Sequence, residues 1–240
     1  MPKRLRAVLA VSALVSCVAL SDANALPRVM APGSMPGPPA ETAKVGALFS
    51  GDLDGGHFCT ASVVHSEDRN LIATAGHCLG DGEDVVFAPG YHDGEAPYGL
   101  WQLDQVYEDD AWTNDEDEDH DLAFATLKPL DGEQIEDVTG ASTLDTSGST
   151  GHEVTVTGYP SSEDAARTCT TTPTLFRSGQ QRVDCPDFTT GTSGSPWLTD
   201  DGKLTGVLGG YEGGGDSPDV SYSVVLGEQA ADLYAKATAG

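Results

Sequence analysis

Positive charge is scarce in this sequence. Twelve Lys and Arg residues stand against 38 Asp and Glu among 240 residues, a formal net charge of −26. A chain so balanced repels a phosphate backbone, which argues against nucleic acid as a partner. Long apolar runs are also missing; the stretch from Ala7 to Leu20 is too short to span a bilayer. None of the five cysteines forms a Cys-x-x-Cys pair, the spacing that most zinc sites use. No histidine follows His152, and no segment recurs at a fixed period.

The amino-terminal region reads as an address followed by a lead. A basic head (Lys3, Arg4, Arg6), the apolar stretch to Leu20 and the small-x-small Ala23-Asn24-Ala25 form a secretory signal over residues 1–25. Leu14-Val15-Ser16-Cys17 resembles a lipoprotein box, so a membrane anchor is expected only if Cys17 is lipidated. Residues 26–44 hold Pro27, Pro32, Pro36, Pro38 and Pro39, a flexible lead or pro-segment. The first 25 residues carry Lys3, Arg4 and Arg6 against Asp22, a net of +2, so the remainder carries −28. Such a field keeps an exported protein soluble and favours cationic substrates at low salt.

After residue 44 the chain is rich in short β-branched runs bounded by Gly and Asp, the pattern of antiparallel strands. These runs are 45–49, 57–64, 70–74, 84–87, 98–106 and 121–127, then 152–159, 174–183, 203–209 and 220–225. Residues 129–150 are polar and turn-rich, a crossing between two halves. Residues 227–238 are the best helix, with Ala230, Ala231, Leu233, Tyr234 and Ala235.

Three local motifs carry chemistry. In Thr190-Gly191-Thr192-Ser193-Gly194-Ser195-Pro196-Trp197 a serine lies between glycines, in a loop whose bend can aim the Ser193 hydroxyl outward. The N–H groups of Gly191 and Ser193 are placed to receive an oxyanion. Taken alone, this is also an ordinary Gly/Ser turn. His77 in Thr74-Ala75-Gly76-His77-Cys78 supplies a base, and Asp121 in His120-Asp121-Leu122-Ala123 supplies its orienting acid. Asp119 is a weaker substitute, because the apolar strand starts only after Asp121. Ser195 is a second serine in the same motif.

In that order and spacing the three motifs resemble the chymotrypsin-like (trypsin-fold) serine proteases, over roughly residues 45–238. The nearest resemblance is to secreted trypsin-like and glutamyl-endopeptidase-like members, which share Gly-Ser-Pro after the nucleophile. The order excludes an α/β-hydrolase, whose histidine follows the serine, and a subtilisin, which runs Asp, His, Ser. The resemblance implies an all-β fold: two antiparallel six-stranded β-barrels with a short C-terminal helix. The barrels would cover about 45–130 and 150–226. It implies a secreted serine endopeptidase, monomeric and without cofactor or metal, acting on protein or peptide substrates. His77, Asp121 and Ser193 would be catalytic, with an oxyanion hole at Gly191 and Ser193.

Two departures from that family stand out. Thr192 occupies the position where many animal members carry an acid that pairs with a freed amino terminus. Asp187, six residues before Ser193, matches the pocket acid that selects Arg and Lys, and Tyr211 falls on the pocket wall, which departs from the usual Ser-Trp-Gly. Four cysteines remain after the signal and allow three pairings; local order favours Cys59 with Cys78 and Cys169 with Cys185. The resemblance supports the first, since the cysteine beside the catalytic histidine pairs there with one in the preceding strand. Two other functions remain open: a non-catalytic secreted binding protein on the same fold, or an acidic extracellular Ca²⁺-binding protein using the carboxylates between 108 and 121. Against the latter, the run lacks EF-hand spacing and glycine.

Overall fold

The computed structural model describes residues 43–80 and 82–239. The signal segment, Cys17 and nearly all of the Pro-rich lead lie outside the described residues.

The first half is a closed barrel. Its strands are β1 (Val45–Ser50), β2 (His57–Val64), β3 (Leu71–Thr74), β4 (Val85–Pro89), β5 (Trp101–Glu108) and β6 (Ala123–Leu127), joined antiparallel in the order β1-β2-β3-β6-β5-β4. Alternation sends Leu48, Ala61, Val63, Ile72, Phe87, Trp101, Leu103, Ala123 and Ala125 inward as one core. The opposite face is also covered. Val64, Leu71, Ala73 and Phe124 pack against Leu204, Val207 and Val224 of the second half and against the last helix. Double coverage explains why Leu71-Ile72-Ala73-Thr74 reads as an unbroken buried run.

The second half is built from two sheets. One has the order β7-β13-β12-β8-β9, using β7 (Thr143–Leu144), β8 (Val154–Gly158), β9 (Arg167–Thr171), β12 (Pro196–Leu198) and β13 (Lys203–Val207). The other is β10 (Thr174–Arg177), β11 (Gln180–Asp184) and β14 (Val220–Val224). A bridge between Leu208 and Ser223 connects them, and Val156, Val183, Phe188, Trp197 and Leu208 fill the space inside.

Several details differ from the sequence pattern. The 174–183 run is a hairpin, because Ser178-Gly179 turns it, with Gly179 at φ 83°. The crossing at 129–150 holds a short helix, α2 (Ile135–Thr139), and β7, which pairs parallel with β13. The acidic run contains another helix, α1 (Asp110–Asp115), capped by the Asp109 carboxylate on the N–H of Ala111. β9 has an intermediate and exposed face throughout, so it offered no apolar signal.

Helix α3 (Glu228–Ala237) ends the fold. It buries Ala230, Leu233 and Ala237, spaced three and four apart, on the outer face of the first barrel. Disulfides join Cys59 to Cys78 and Cys169 to Cys185, with sequence separations of 19 and 16 residues. Each is worth about 3 kcal/mol as a constraint on the unfolded chain.

Two glycines with similar backbone angles make a test of packing. Gly194 has φ 84°, and a Cβ there would collide with the Thr60 carbonyl and the Thr74 hydroxyl. Gly132 has φ 86° and nothing within 4 Å. Gly132→Ala should therefore cost about 1–2 kcal/mol, the strain alone. Gly194→Ala should cost at least about 3 kcal/mol, because backbone must also move. Urea denaturation of both variants measures the difference.

Candidate active site

Asp121 lies at the head of β6, after a short 3-10 turn at Glu118–His120, and has no exposed surface. Its carboxylate accepts three N–H bonds. Oδ1 takes the backbone N–H of His77 at 2.9 Å, while Oδ2 takes the His77 ring at 2.8 Å and the N–H of Gly210 at 2.7 Å. A carboxylate only accepts, so Nδ1 of His77 is the donor and Nε2 of the neutral ring keeps its lone pair. Asp119 has another role. Its carboxylate is bonded to Arg177 and Gln180, at 3.2 and 2.9 Å.

His77 occupies a 3-10 turn, Gly76–Cys78, directly after β3. The turn is held from three sides: by Asp121, by the Cys59–Cys78 disulfide, and by Trp112 of α1. A Cβ on Gly76 would come within 2.7 Å of the Trp112 ring nitrogen, so that position requires glycine for this packing. The imidazole itself is 27% exposed, open for reaction on one side. Cys59, Cys78 and His77 form a close cluster, but both sulfurs are consumed in the disulfide and offer no thiolate to a metal.

The two serines of the glycine-rich loop separate cleanly. Ser195 is fully buried and donates its hydroxyl to the Thr192 carbonyl at 2.6 Å. Ser193 is partly exposed and lines a cavity of about 410 Å³. Among the described residues no hydrogen bond joins Ser193 Oγ to His77; such contacts often tighten only when substrate binds. The loop is tied to the histidine side through Thr60. The Thr60 N–H donates to the Ser193 carbonyl at 2.7 Å, and its hydroxyl donates to the Gly191 carbonyl at 3.0 Å. Thr60 follows Cys59, whose disulfide partner follows His77. Thr192, Gly194 and Ser195 donate their N–H groups to carbonyls, at 3.1, 2.7 and 3.0 Å. Among the described residues those of Gly191 and Ser193 have no backbone acceptor.

Asp187 and Tyr211 lie elsewhere than the pocket reading requires. The cavity beside Ser193 is lined by Phe188, Thr189, Thr190, Leu208, the Gly213–Gly215 run, Asp216 and Ser217, and neither residue is among them. Asp187 sits in a turn at φ 63° after Pro186, with its side chain 66% exposed and 3.3 Å from Arg167. Tyr211 packs its ring against Phe176 and Tyr222, at 5.1 and 5.0 Å. The acid along the cavity is Asp216, beyond the glycines.

Comparison with known proteins gives the family and the fold. Residues 59–207 match the trypsin-like peptidase domain. The chain belongs to that family, the serine endopeptidases of trypsin-like fold. A search of curated protein sequences finds no match. Among solved structures, the chain is similar to the protease Anisep from Arthrobacter nicotinovorans, at 27% identity and TM-score 0.73, covering 83% of this chain and 97% of that one. It is also similar to AL20, a thermostable serine protease from an extremophilic microorganism, at 30% identity and TM-score 0.72 over 84% and 99% of the two chains. A Glu endopeptidase shares the fold at 18% identity and TM-score 0.67, over 83% and 92% of the two chains.

Four site residues escaped sequence reasoning: Thr60, Gly210, Trp112 and Glu108. Gly210 acts through its main-chain N–H, and Thr60 through both its hydroxyl and its main chain, which no motif marks. Glu108 looked like the start of the solvated acidic run. A register shift between Leu103 and Gln105 changes the phase of β5, so that Val106 and Glu108 turn inward together. Burial, then the charge of Asp121, push the Glu108 carboxyl from 4.5 up to about 7.

That shift has a sign in stability. A carboxyl raised on folding is favourable when protonated, so its contribution is present below its unfolded value and is lost as pH rises toward 7. Glu108→Gln should match wild type near pH 4 and melt higher than wild type at pH 8. With solvent screening of a half-buried group, the gain should be about 1 kcal/mol, or 2–4 °C. Thermal scans at both pH values check this. For the pocket, Asp187→Ser should leave the ratio of kcat/KM for peptides with Arg or Phe before the cut within about twofold, since the carboxylate faces solvent. A larger change, read on matched peptides, would return Asp187 to the pocket.

Proposed function

We propose that this chain is an exported serine endopeptidase that cleaves through His77, Asp121 and Ser193. Its support is the Asp121 carboxylate, which fixes the His77 tautomer with Nε2 as acceptor while Ser193, unlike Ser195, has a partly exposed hydroxyl beside a cavity. In the first step Ser193 Oγ bonds to the scissile carbonyl carbon as His77 Nε2 takes its proton. The carbonyl oxygen becomes an anion and receives the N–H groups of Gly191 and Ser193. Asp121 stabilises the imidazolium without taking its proton. The C–N bond then breaks, the leaving amine takes the proton from Nε2, and an acyl group remains on Ser193. Water, activated by the same imidazole, releases the acid and restores the serine.

Export rests on the signal features of residues 1–25, to which the two disulfides add the expectation of an oxidising compartment. No helix among the described residues is long and apolar enough to cross a membrane. The substrates are proteins or peptides, and a monomer suffices for a site built from one chain.

Ser193→Ala should lower kcat/KM by about 10⁴-fold or more while the protein stays folded. Ser195→Ala should cost far less, since it removes a buried hydroxyl–carbonyl bond worth about 1 kcal/mol. A fluorophosphonate probe should label wild type and Ser195→Ala but not Ser193→Ala. Equal loss from the two substitutions, or labelling that survives Ser193→Ala, refutes the assignment.

A further inference from the structure

A second carboxylate stands beside the His77–Asp121 pair. Glu108, the last residue of β5, pairs across the ladder with Ala123, two positions after Asp121. Its Oε1 is buried and has no hydrogen-bond partner among the described residues. The side chain lines a cavity of about 480 Å³ together with Gly76, His77, Trp112 and Glu116. The titratable groups that face it are His77 after β3, Asp121 at the head of β6, and Glu116 just past the end of α1. Among the described residues no Lys or Arg lines this cavity.

The two carboxylates differ in what they can do. Asp121 is satisfied by three N–H groups and keeps its charge in every step. Glu108 has an oxygen without a donor, so its ionised form depends on nearby positive charge. In the resting site the charge of Asp121 opposes a further charge on Glu108. When His77 accepts the serine proton, the pair becomes neutral overall and that opposition is lifted. We propose that Glu108 is a positioning residue for His77, acting through its charge: ionised Glu108 favours the imidazolium form, and the imidazolium favours ionised Glu108. The proposal rests on the reading of His77 as the catalytic base. The coupling is reciprocal, as any linkage between two binding equilibria must be. The proton released by Glu108 passes to solvent through the cavity. Burial, with the Asp121 charge second, already pushes this carboxyl up to about 7.

The experiment separates the coupling from catalysis. In a Ser193→Ala background, which prevents self-cleavage, proton NMR of the His77 Cε1–H gives its titration directly. Adding Glu108→Gln should move the midpoint to lower pH by about half a unit to one unit, a threefold to tenfold weaker hold on the proton. Glu108→Asp keeps the charge and should lie closer to wild type than Glu108→Gln does. In the active enzyme, Glu108→Gln should move the acid limb of kcat/KM by the same amount and lower its alkaline plateau about threefold. A midpoint that does not move, or an Asp variant that moves as far as Gln, overturns the role of Glu108 and leaves His77 as base untouched. A midpoint that moves while the activity profile stays in place refutes His77 as the base, and the positioning role of Glu108 with it. Should Glu108→Gln fail to fold, carbon-13 titration of glutamate carboxyls in Ser193→Ala replaces it. One carboxyl must then titrate near 7 with a matching inflection at His77, and its absence overturns the proposal.

Discussion

A single buried charge organises the molecule: the carboxylate of Asp121. A carboxylate with no exposed surface is tolerated only where donors replace its water. Here the donors come from two separate parts of the chain, the His77 turn after β3 and Gly210 beyond β13, while Asp121 itself heads β6. Removing any of these donors leaves charge buried and incompletely paired. The neighbouring backbone is shaped to the same end. A Cβ on Gly209 would stand 2.8 Å from the carboxylate, so a glycine there lets the chain pass close enough for the next N–H to bond.

The second junction is Thr60, whose hydroxyl and backbone are both used across the two halves. Its hydroxyl donates to Gly191 and accepts from the N–H of Tyr159, its own N–H donates to Ser193, and its carbonyl accepts the Thr74 hydroxyl. All of this is buried, where each bond resists replacement by water and the network stiffens the loop. The serine loop belongs to the second half and the histidine turn to the first. Thr60, one residue from the Cys59–Cys78 disulfide, therefore sets their relation through a few short covalent and hydrogen-bonded steps. An error of about 1 Å in such a relation costs roughly two orders of magnitude in rate, which explains the density of bonds around one threonine.

Charge acts here on two scales. The overall excess of acid sets a diffuse field that salt screens within about 10 Å, and it bears on solubility and encounter with substrate. Much of the run from Asp109 to Asp119 is occupied locally: Asp109 and Asp117 cap short helical turns, and Glu118 and Asp119 face Arg177. Glu108 is different, because burial rather than proximity to solvent governs its carboxyl. A group that lowers stability when ionised, in a cavity shared with His77, fits the usual trade between a stable fold and a working site.

The sequence by itself determined the strand pattern, the final helix and the residues with chemical capacity. Those signals are local: short β-branched runs such as 57–64, a glycine-flanked serine, a histidine beside a cysteine and an acid ahead of an apolar strand. It missed β9, whose partly exposed residues have no apolar alternation, and the hairpin inside 174–183, where β-rich residues flank a two-residue turn. It placed Asp187 in a pocket by counting from Ser193, whereas the turn after Pro186 directs that carboxylate to solvent and Arg167. Only the tertiary structure decided which serine is buried, which acid faces His77, and which residues line the cavity. Those properties depend on contacts between segments far apart in sequence, as between Thr60 and Ser193 or Asp121 and Gly210, and on a register shift in β5 that turns Glu108 inward. No local pattern encodes a contact of that range, because either partner looks the same in sequence whether or not the other is present.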